Sequence, residues 1–234
     1  AVYAKNIVIG FCRMGGEAVE VIDTPGVNSL VPMSEDERVT RDILINEDIG
    51  GVLQIIDAKN LRRGLLITIQ LAEMGLPLTV ALNMYDEAGE RGITIDFDGL
   101  ASSLGLNFVP AIATQRWNID KLKDTFRLQK KAGPFVRYHP AIEDGIVEIS
   151  AILPPLRISA RSMAVMLLSG DATARDWLKD KLSGLHLKNI EDIRARTQSA
   201  VYEPAGYSIN IARFKAVDEV VEAFFKKRAI SALT

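Results

Sequence analysis

Residues 77–91 read PLTVALNMYDEAGER. Leu78 to Leu82 is an unbroken run of apolar or β-branched residues, the pattern of a short strand buried on both faces of a parallel sheet. Asn83 and Asp86 follow directly at its end. The carboxyl edge of a parallel sheet is where open α/β folds bind their ligands. A carboxylate there can accept two parallel N–H bonds, and a guanine edge offers N1–H and N2–H₂ side by side. Asp86 is therefore a candidate guanine reader, and Asn83 a candidate brace for the neighbouring loop and for guanine N7. Adenine lacks that pair of donors and would leave the carboxylate unpaired, which is how a polar site rejects an analogue. Taken alone, the same residues also fit a helix N-cap after a strand.

The rest of the chain decides between these readings. Its 234 residues suffice for one large domain or two modest ones. With 48% apolar and 25% charged residues it has the composition of an ordinary globular protein. A formal net charge of −2 gives no global basic surface, so nucleic acid is not an expected partner. The one cysteine, Cys12, excludes an internal disulfide, suits a reducing compartment and reads as a small strand residue. No run approaches the ~18 apolar residues of a membrane span, and no signal-peptide pattern opens the sequence.

Residues 5–10, KNIVIG, read as a first strand ending in glycine, and Glu17 to Ile22 as a second. A first strand ending this way usually leads into a phosphate loop of the G-x-x-x-x-G-K-[ST] type, yet no G-K-S or G-K-T occurs in the sequence. Either the chain is not of the phosphate-loop type, or the loop and the switch after it belong at the Gly10–Phe11 junction and are missing from the sequence; the second is preferred. Gly10 is accordingly a candidate nucleotide contact. Asp23-Thr24-Pro25-Gly26 then fits D-x-x-G at a strand end. Asp23 would hold Mg²⁺ through a water, because Mg²⁺ keeps several waters and takes few carboxylates. Gly26, without a Cβ, can bring its N–H close to a γ-phosphate. The tetrapeptide also reads as a plain Pro-Gly turn after a strand. The loop beginning Val27-Asn28-Ser29-Leu30 stands where a nucleotide-sensing switch would sit, and Ser34 to Arg38 opens a helix running to about Asn46.

Further strands are expected at 50–57 and 107–112, with helices at 60–74 and about 99–104. This alternation argues a doubly wound, mostly parallel sheet with helices on both faces. D-x-x-G, then N-x-x-D, then a strand running into the small-residue loop Ala113-Thr114-Gln115 is the order found in GTPase domains. The N–H of Ala113 or Thr114 would face guanine O6, and Met84 and Tyr85 complete the candidate base site. From about residue 126 strand signals fade, apart from an extended piece at 135–138. Helices are expected at 141–153, from Ser159 to Leu168, from Asp171, at 190–201, and from about Ile209. The last is expected to bury Ile211, Phe214, Val217, Val221, Phe224 and Phe225 along one face. His139 and His186 stand far from other ligand types, so they read as surface or packing residues rather than a metal site.

IIDAKNLRRGLLITIQLAEMGLPLTVALNMYDEAGERGITID, together with DTPG and SEDERVTRD, resembles the N-terminal cytosolic domain of the prokaryotic ferrous-iron transporter family FeoB. ARSMAVMLLSGD and ARFKAVDEVVEAF resemble the helical domain that follows it there. The resemblance implies a P-loop GTPase-like domain at 1–140 and an all-α regulatory domain at 141–234 that modulates nucleotide release. It implies GTP and GDP as ligands at Asp23, Gly26, Asn83 and Asp86, with Ala113 to Gln115 near the base. Mg²⁺, and a monovalent cation such as K⁺, are the implied cofactors. The implied partner is a membrane-embedded transporter domain of the same polypeptide, which makes this a cytoplasmic portion of a bacterial inner-membrane protein. The family uses methionine at the position of Met84, where most GTPases have a base-stacking lysine. Ala113 stands where serine is more usual. Val27, just after D-x-x-G, has no group to orient a water, so slow intrinsic hydrolysis is expected; the Gly26 backbone is the one catalytic candidate. The rival readings are another small GTPase, a ribosome or tRNA-modification factor, and a non-hydrolysing nucleotide-binding or interaction module. A homo-oligomer is a further candidate assembly.

Overall fold

The computed structural model describes residues 7–27, 29–30 and 34–227. The run at Leu78–Leu82 lies at the centre of its main sheet. Strand β4 (Pro77–Asn83) pairs in parallel with β3 (Val52–Asp57) on one side and β6 (Asn107–Pro110) on the other. Leu78, Val80 and Leu82 are fully buried in the main core, while Ala81 joins Val109 and Leu122 in a second cluster on the opposite face. Burial on both faces explains the unbroken apolar run. Helices α2 (Leu61–Glu73) and α4 (Phe97–Leu104) supply the main core, and α5 (Ile119–Arg127) supplies Leu122 to the other face. A short strand, β7 (Lys130–Lys131), pairs antiparallel with the start of β4. Residues 135–138, expected as an extended piece, join no ladder.

The beginning of the chain differs from expectation. Strands β1 (Val8–Met14) and β2 (Glu17–Asp23) form an antiparallel hairpin whose ladder runs from Val8↔Asp23 to Met14↔Glu17. Gly15 and Gly16, at φ 58° and 90°, make the two-residue turn, a conformation that suits glycine and matches strand twist. Gly10 faces Val21 in mid-strand and Phe11 faces Glu20, so the ladder continues through the Gly10–Phe11 junction, and a phosphate loop inserted there would split it. Lys5 and Asn6, part of the strand expected at 5–10, lie outside the described residues. The hairpin is a sheet of its own, and β3 has a strand partner on one side only among the described residues. On the face shared with Ala81, Leu53 and Ile55 are 37% and 65% exposed.

Side-chain caps start six of the described α-helices. Ser34 Oγ accepts from Glu37 N–H at the head of α1 (Glu35–Asn46). Met84 precedes the short α3 (Tyr85–Glu90), and β5 (Ile93–Ile95) follows it. In the second part, α6 (Pro140–Ile152) is capped by His139, whose Nδ1 accepts from Ala141 N–H. Ser159, Asp171 and Ser183 cap α7 (Ala160–Leu168), α8 (Ala172–Leu178) and α9 (Gly184–Ser199). The long α10 (Ala205–Phe224) packs back on α2 and α4, and β8 (Phe225–Lys227) pairs antiparallel with β5. One core cluster runs through both parts of the chain. Within α10 the buried line is Ile209, Arg213 and Val217, whereas Ile211 and Phe214 are 48% and 38% exposed. The expected apolar face is displaced because Arg213 turns inward to a buried carboxylate. Among the described residues no helix is long and apolar enough to cross a membrane.

Candidate functional site

The ends of β3, β4 and β6 come together at one edge of the sheet, with Asp57 directly beside Asn83 in the β3–β4 register. The chain leaves β4 through Met84 in the left-handed region, φ 58°. Met84 is the cap residue of α3 but makes no side-chain cap bond. Asn83 does not cap this helix either: its Oδ1 accepts from Ala113 N–H at 3.0 Å, bracing the β4 end against the loop after β6. Tyr85 N–H donates to Ala111 O, and Ala111 N–H to Leu82 O, so the two strand ends are stitched on either side of that brace.

The loop itself is stiff. Residues 113–115 form a 3₁₀ turn, Ile112 and Trp117 exchange backbone bonds, and Asn118 Nδ2 donates to Pro110 O at 3.0 Å. Arg116 and Asn118 both hold positive φ. Gln115 Nε2 donates to Asp86 Oδ2 at 3.3 Å, a second rung between the loop and the N-x-x-D segment. Tyr85 packs beneath, stacked on Trp117 at 6.2 Å and edge-on to Phe97 at 5.5 Å. Asn83, Met84, Tyr85, Asp86, Ala113, Thr114 and Gln115 are thus brought into one cluster. Sequence reading missed Lys59, which follows β3. Its side chain is 11% exposed, pairs with Glu87 and donates to Met84 Sδ at 3.3 Å, so a cation from another element backs the methionine. An isolated lysine in D-A-K-N gives no sequence signal of that reach.

The other candidates stand apart. Asp23 ends β2 with its side chain exposed, and among the described residues no bond joins residues 23–26 to Asn83 or Asp86. Pro25 O accepts from Thr40 Oγ1 of α1 at 3.4 Å, and Leu30 N–H donates to Gln70 Oε1 of α2, so this loop is anchored on helices. A Cβ on Gly26 would meet nothing within 4 Å, and its φ is not positive, so neither packing nor backbone geometry demands glycine there. Asn28 and residues 31–33 of the expected switch lie outside the described residues. Gly10 sits in mid-strand, away from any strand end.

A mostly parallel α/β domain with this strand-end set, followed by a helical part, has the architecture of a GTPase of the phosphate-loop class. The chain belongs to the FeoB family: residues 4–126 match the family described as Ferrous iron transport protein B, and residues 138–226 match the FeoB cytosolic helical domain. It is 34% identical over 199 residues to the Fe(2+) transport protein A/Fe(2+) transporter FeoB fusion protein of Porphyromonas gingivalis, covering 80% of this chain and 24% of that protein. The chain thus spans about a quarter of the length of the curated relatives it matches. Among solved structures it is similar to NFeoB from S. thermophilus bound to GDP.AlF4⁻ and K⁺, with TM-score 0.77 and 32% identity, covering 87% of this chain and 80% of that one. The cytosolic domain of L. pneumophila FeoB superposes with TM-score 0.81 at 26% identity, covering 97% and 92%.

Proposed function

We propose that residues 1–140 read the guanine base of GTP and GDP, and that residues 141–234 regulate this binding. The observation that carries the reading is the pairing of Asp86 and Asn83 with the loop after β6. Asn83 holds that loop through Ala113 N–H, which leaves the N–H of Thr114 to face guanine O6 while Asp86 accepts N1–H and N2–H₂. Met84 covers the base face as an adaptable apolar side chain.

GTP hydrolysis by in-line attack of water follows for the phosphate end, with catalysis by positioning and charge. When bound, Mg²⁺ supplies charge stabilisation on the phosphates. Asp23 suits it as an exposed strand-end carboxylate, since Mg²⁺ takes one or two carboxylates and keeps its waters. Gly26, with open space where a Cβ would stand, allows its N–H close approach to a phosphate. Val27 cannot orient the water, so intrinsic turnover is slow. A solved relative is bound to GDP.AlF4⁻ and K⁺, which supports a monovalent cation as the further charge. No G-x-x-x-x-G-K-[ST] lies in these residues, so Asp23 and Gly26 are the phosphate-end groups they offer. The one-sided edge of β3, with Leu53 and Ile55 exposed beside it, is where a further strand fits.

Regulation has a physical route. Arg41, on the helix that follows the D-x-x-G loop, is 2% exposed and donates to Asp171 Oδ2 at 2.8 Å; it also bonds Thr173. A shift of that loop is therefore felt at the cap of α8. We infer that the whole couples GTP turnover to ferrous-iron transport by an attached membrane domain, as a cytoplasmic portion of an inner-membrane protein. Calorimetric titration with GDP and ADP tests the base reading. GDP is expected to bind more tightly than ADP, and Asp86→Ala is expected to abolish the difference; an unchanged preference in Asp86→Ala rejects the site.

A further inference from the structure

Gln115 makes a bond that the base reading does not require. A carboxylate has about four lone-pair positions, and a guanine edge takes one on each oxygen. The Gln115 bond to Asp86 Oδ2 uses a third, so it is compatible with base recognition rather than opposed to it. Its effect is orientational. The terminal sp³–sp² torsion of an aspartate is broad and two-fold, and without a donor the carboxylate plane of Asp86 rocks. Among the described residues, Gln115 Nε2 is the side-chain donor bonded to that carboxylate. It projects from a loop pinned by Asn83, by the Ile112–Trp117 bonds and by Asn118. Ala113, in the same loop, has no hydroxyl with which to make such a bond.

We propose that Gln115 is a positioning residue for guanine specificity: its side-chain amide fixes the plane of the Asp86 carboxylate so that both guanine donors are met at once. This rests on the assignment of Asp86 as the base reader. The readout is the ratio of GDP to IDP affinity. Inosine keeps N1–H but lacks the exocyclic amine, so this ratio reports two-point pairing and is independent of how phosphates are held.

GDP and IDP are titrated against the full chain and against Gln115→Ala, Gln115→Glu and Asp86→Ala. Gln115→Ala is expected to lower the GDP:IDP ratio by about three- to tenfold, the scale of one ordinary hydrogen bond net of water. Gln115→Glu, which replaces the donor with a second carboxylate, is expected to lower it at least as far. If Asp86→Ala loses the preference while Gln115→Ala keeps it, the positioning role is wrong and the base reading stands. If Gln115→Ala weakens GDP and IDP equally, the residue only supports the loop and the proposal is also overturned. If Asp86→Ala leaves the preference intact, the base reading fails and takes the proposal with it.

Discussion

Replacing Glu73 with glutamine is expected to destabilise the whole chain, not one part of it. Glu73 ends α2 and is 4% exposed. It accepts from Tyr138 Oη at 3.0 and 3.1 Å, from Arg213 Nη2 at 2.9 Å and from Arg161 Nε at 3.3 Å. Arg161 has a second carboxylate, Glu143, at 2.6 Å, so its charge stays paired in the variant. Arg213, 5% exposed, would be left buried without a charged partner. Breaking a buried pair by removing one partner costs about 3–5 kcal/mol. The lower end, about 3 kcal/mol, applies because glutamine still accepts one bond. At about 2–4 °C per kcal/mol for a chain of this size, the melting temperature falls by roughly 6–12 °C. The assay is thermal unfolding by circular dichroism, with Asp218→Asn as control. Asp218 pairs with Arg62 at the surface, with both side chains about half exposed, and such pairs are worth about 1 kcal/mol or less. Because one core cluster spans both parts, the loss should shift a single transition. A Glu73→Gln shift no larger than the control, or two separate transitions, refutes the account of the interface.

Burial raises the Tyr138 phenol above its usual range, with the nearby Arg213 opposing and Glu73 assisting. The unfolded phenol loses its proton near pH 10 and the folded one does not. The stability this contributes is therefore complete below about pH 10 and falls above it by about 1.4 kcal/mol per pH unit. Denaturant unfolding from pH 9 to 11 should show this slope, reduced in Tyr138→Phe; an identical slope in the variant contradicts it. Asp171→Ala takes the buried partner from Arg41, which keeps the exposed Asp42, and removes the α8 cap, so a loss of about 2–4 kcal/mol is expected in urea unfolding, against under 1 kcal/mol for Asp42→Ala. Since these residues contain no phosphate loop, guanosine and GDP should bind the chain within about tenfold of one another by calorimetry. A GDP advantage far beyond that shows that these residues hold the phosphates themselves.

The parts legible in sequence were those set by local chemistry. A strand buried on both faces needs an unbroken apolar run, and 77–83 has one; Ser34, Ser159 and Asp171 announce helix starts because their side chains cap the next turn. The cluster of Asn83, Asp86 and the 113–115 loop was legible because all three sit at strand ends that a parallel sheet must align. The hairpin at 8–23 departs from the expected strand end at Gly10 because Gly15-Gly16 forms a two-residue turn that lets β1 run on to Met14. The start of α9 at Gly184 was missed because its first turn has no buried stripe, only the Ser183 cap. Long-range charge pairing was invisible: Glu73 and Arg213 are 140 positions apart, and each looks like a solvated residue of its own helix. Lys59 escaped for the same reason.

Asp86 is proposed to read guanine through two accepted N–H bonds. Exchanging it for asparagine offers one donor and one acceptor in the same place, which suits xanthine, whose C2 carries a carbonyl oxygen in place of the amine. Calorimetric titration of the chain and of Asp86→Asn with guanosine and xanthosine measures this directly. Guanosine should be preferred by the native chain and xanthosine by the variant, each by about tenfold or more. An Asp86→Asn variant that still prefers guanosine to the same degree contradicts the base reading.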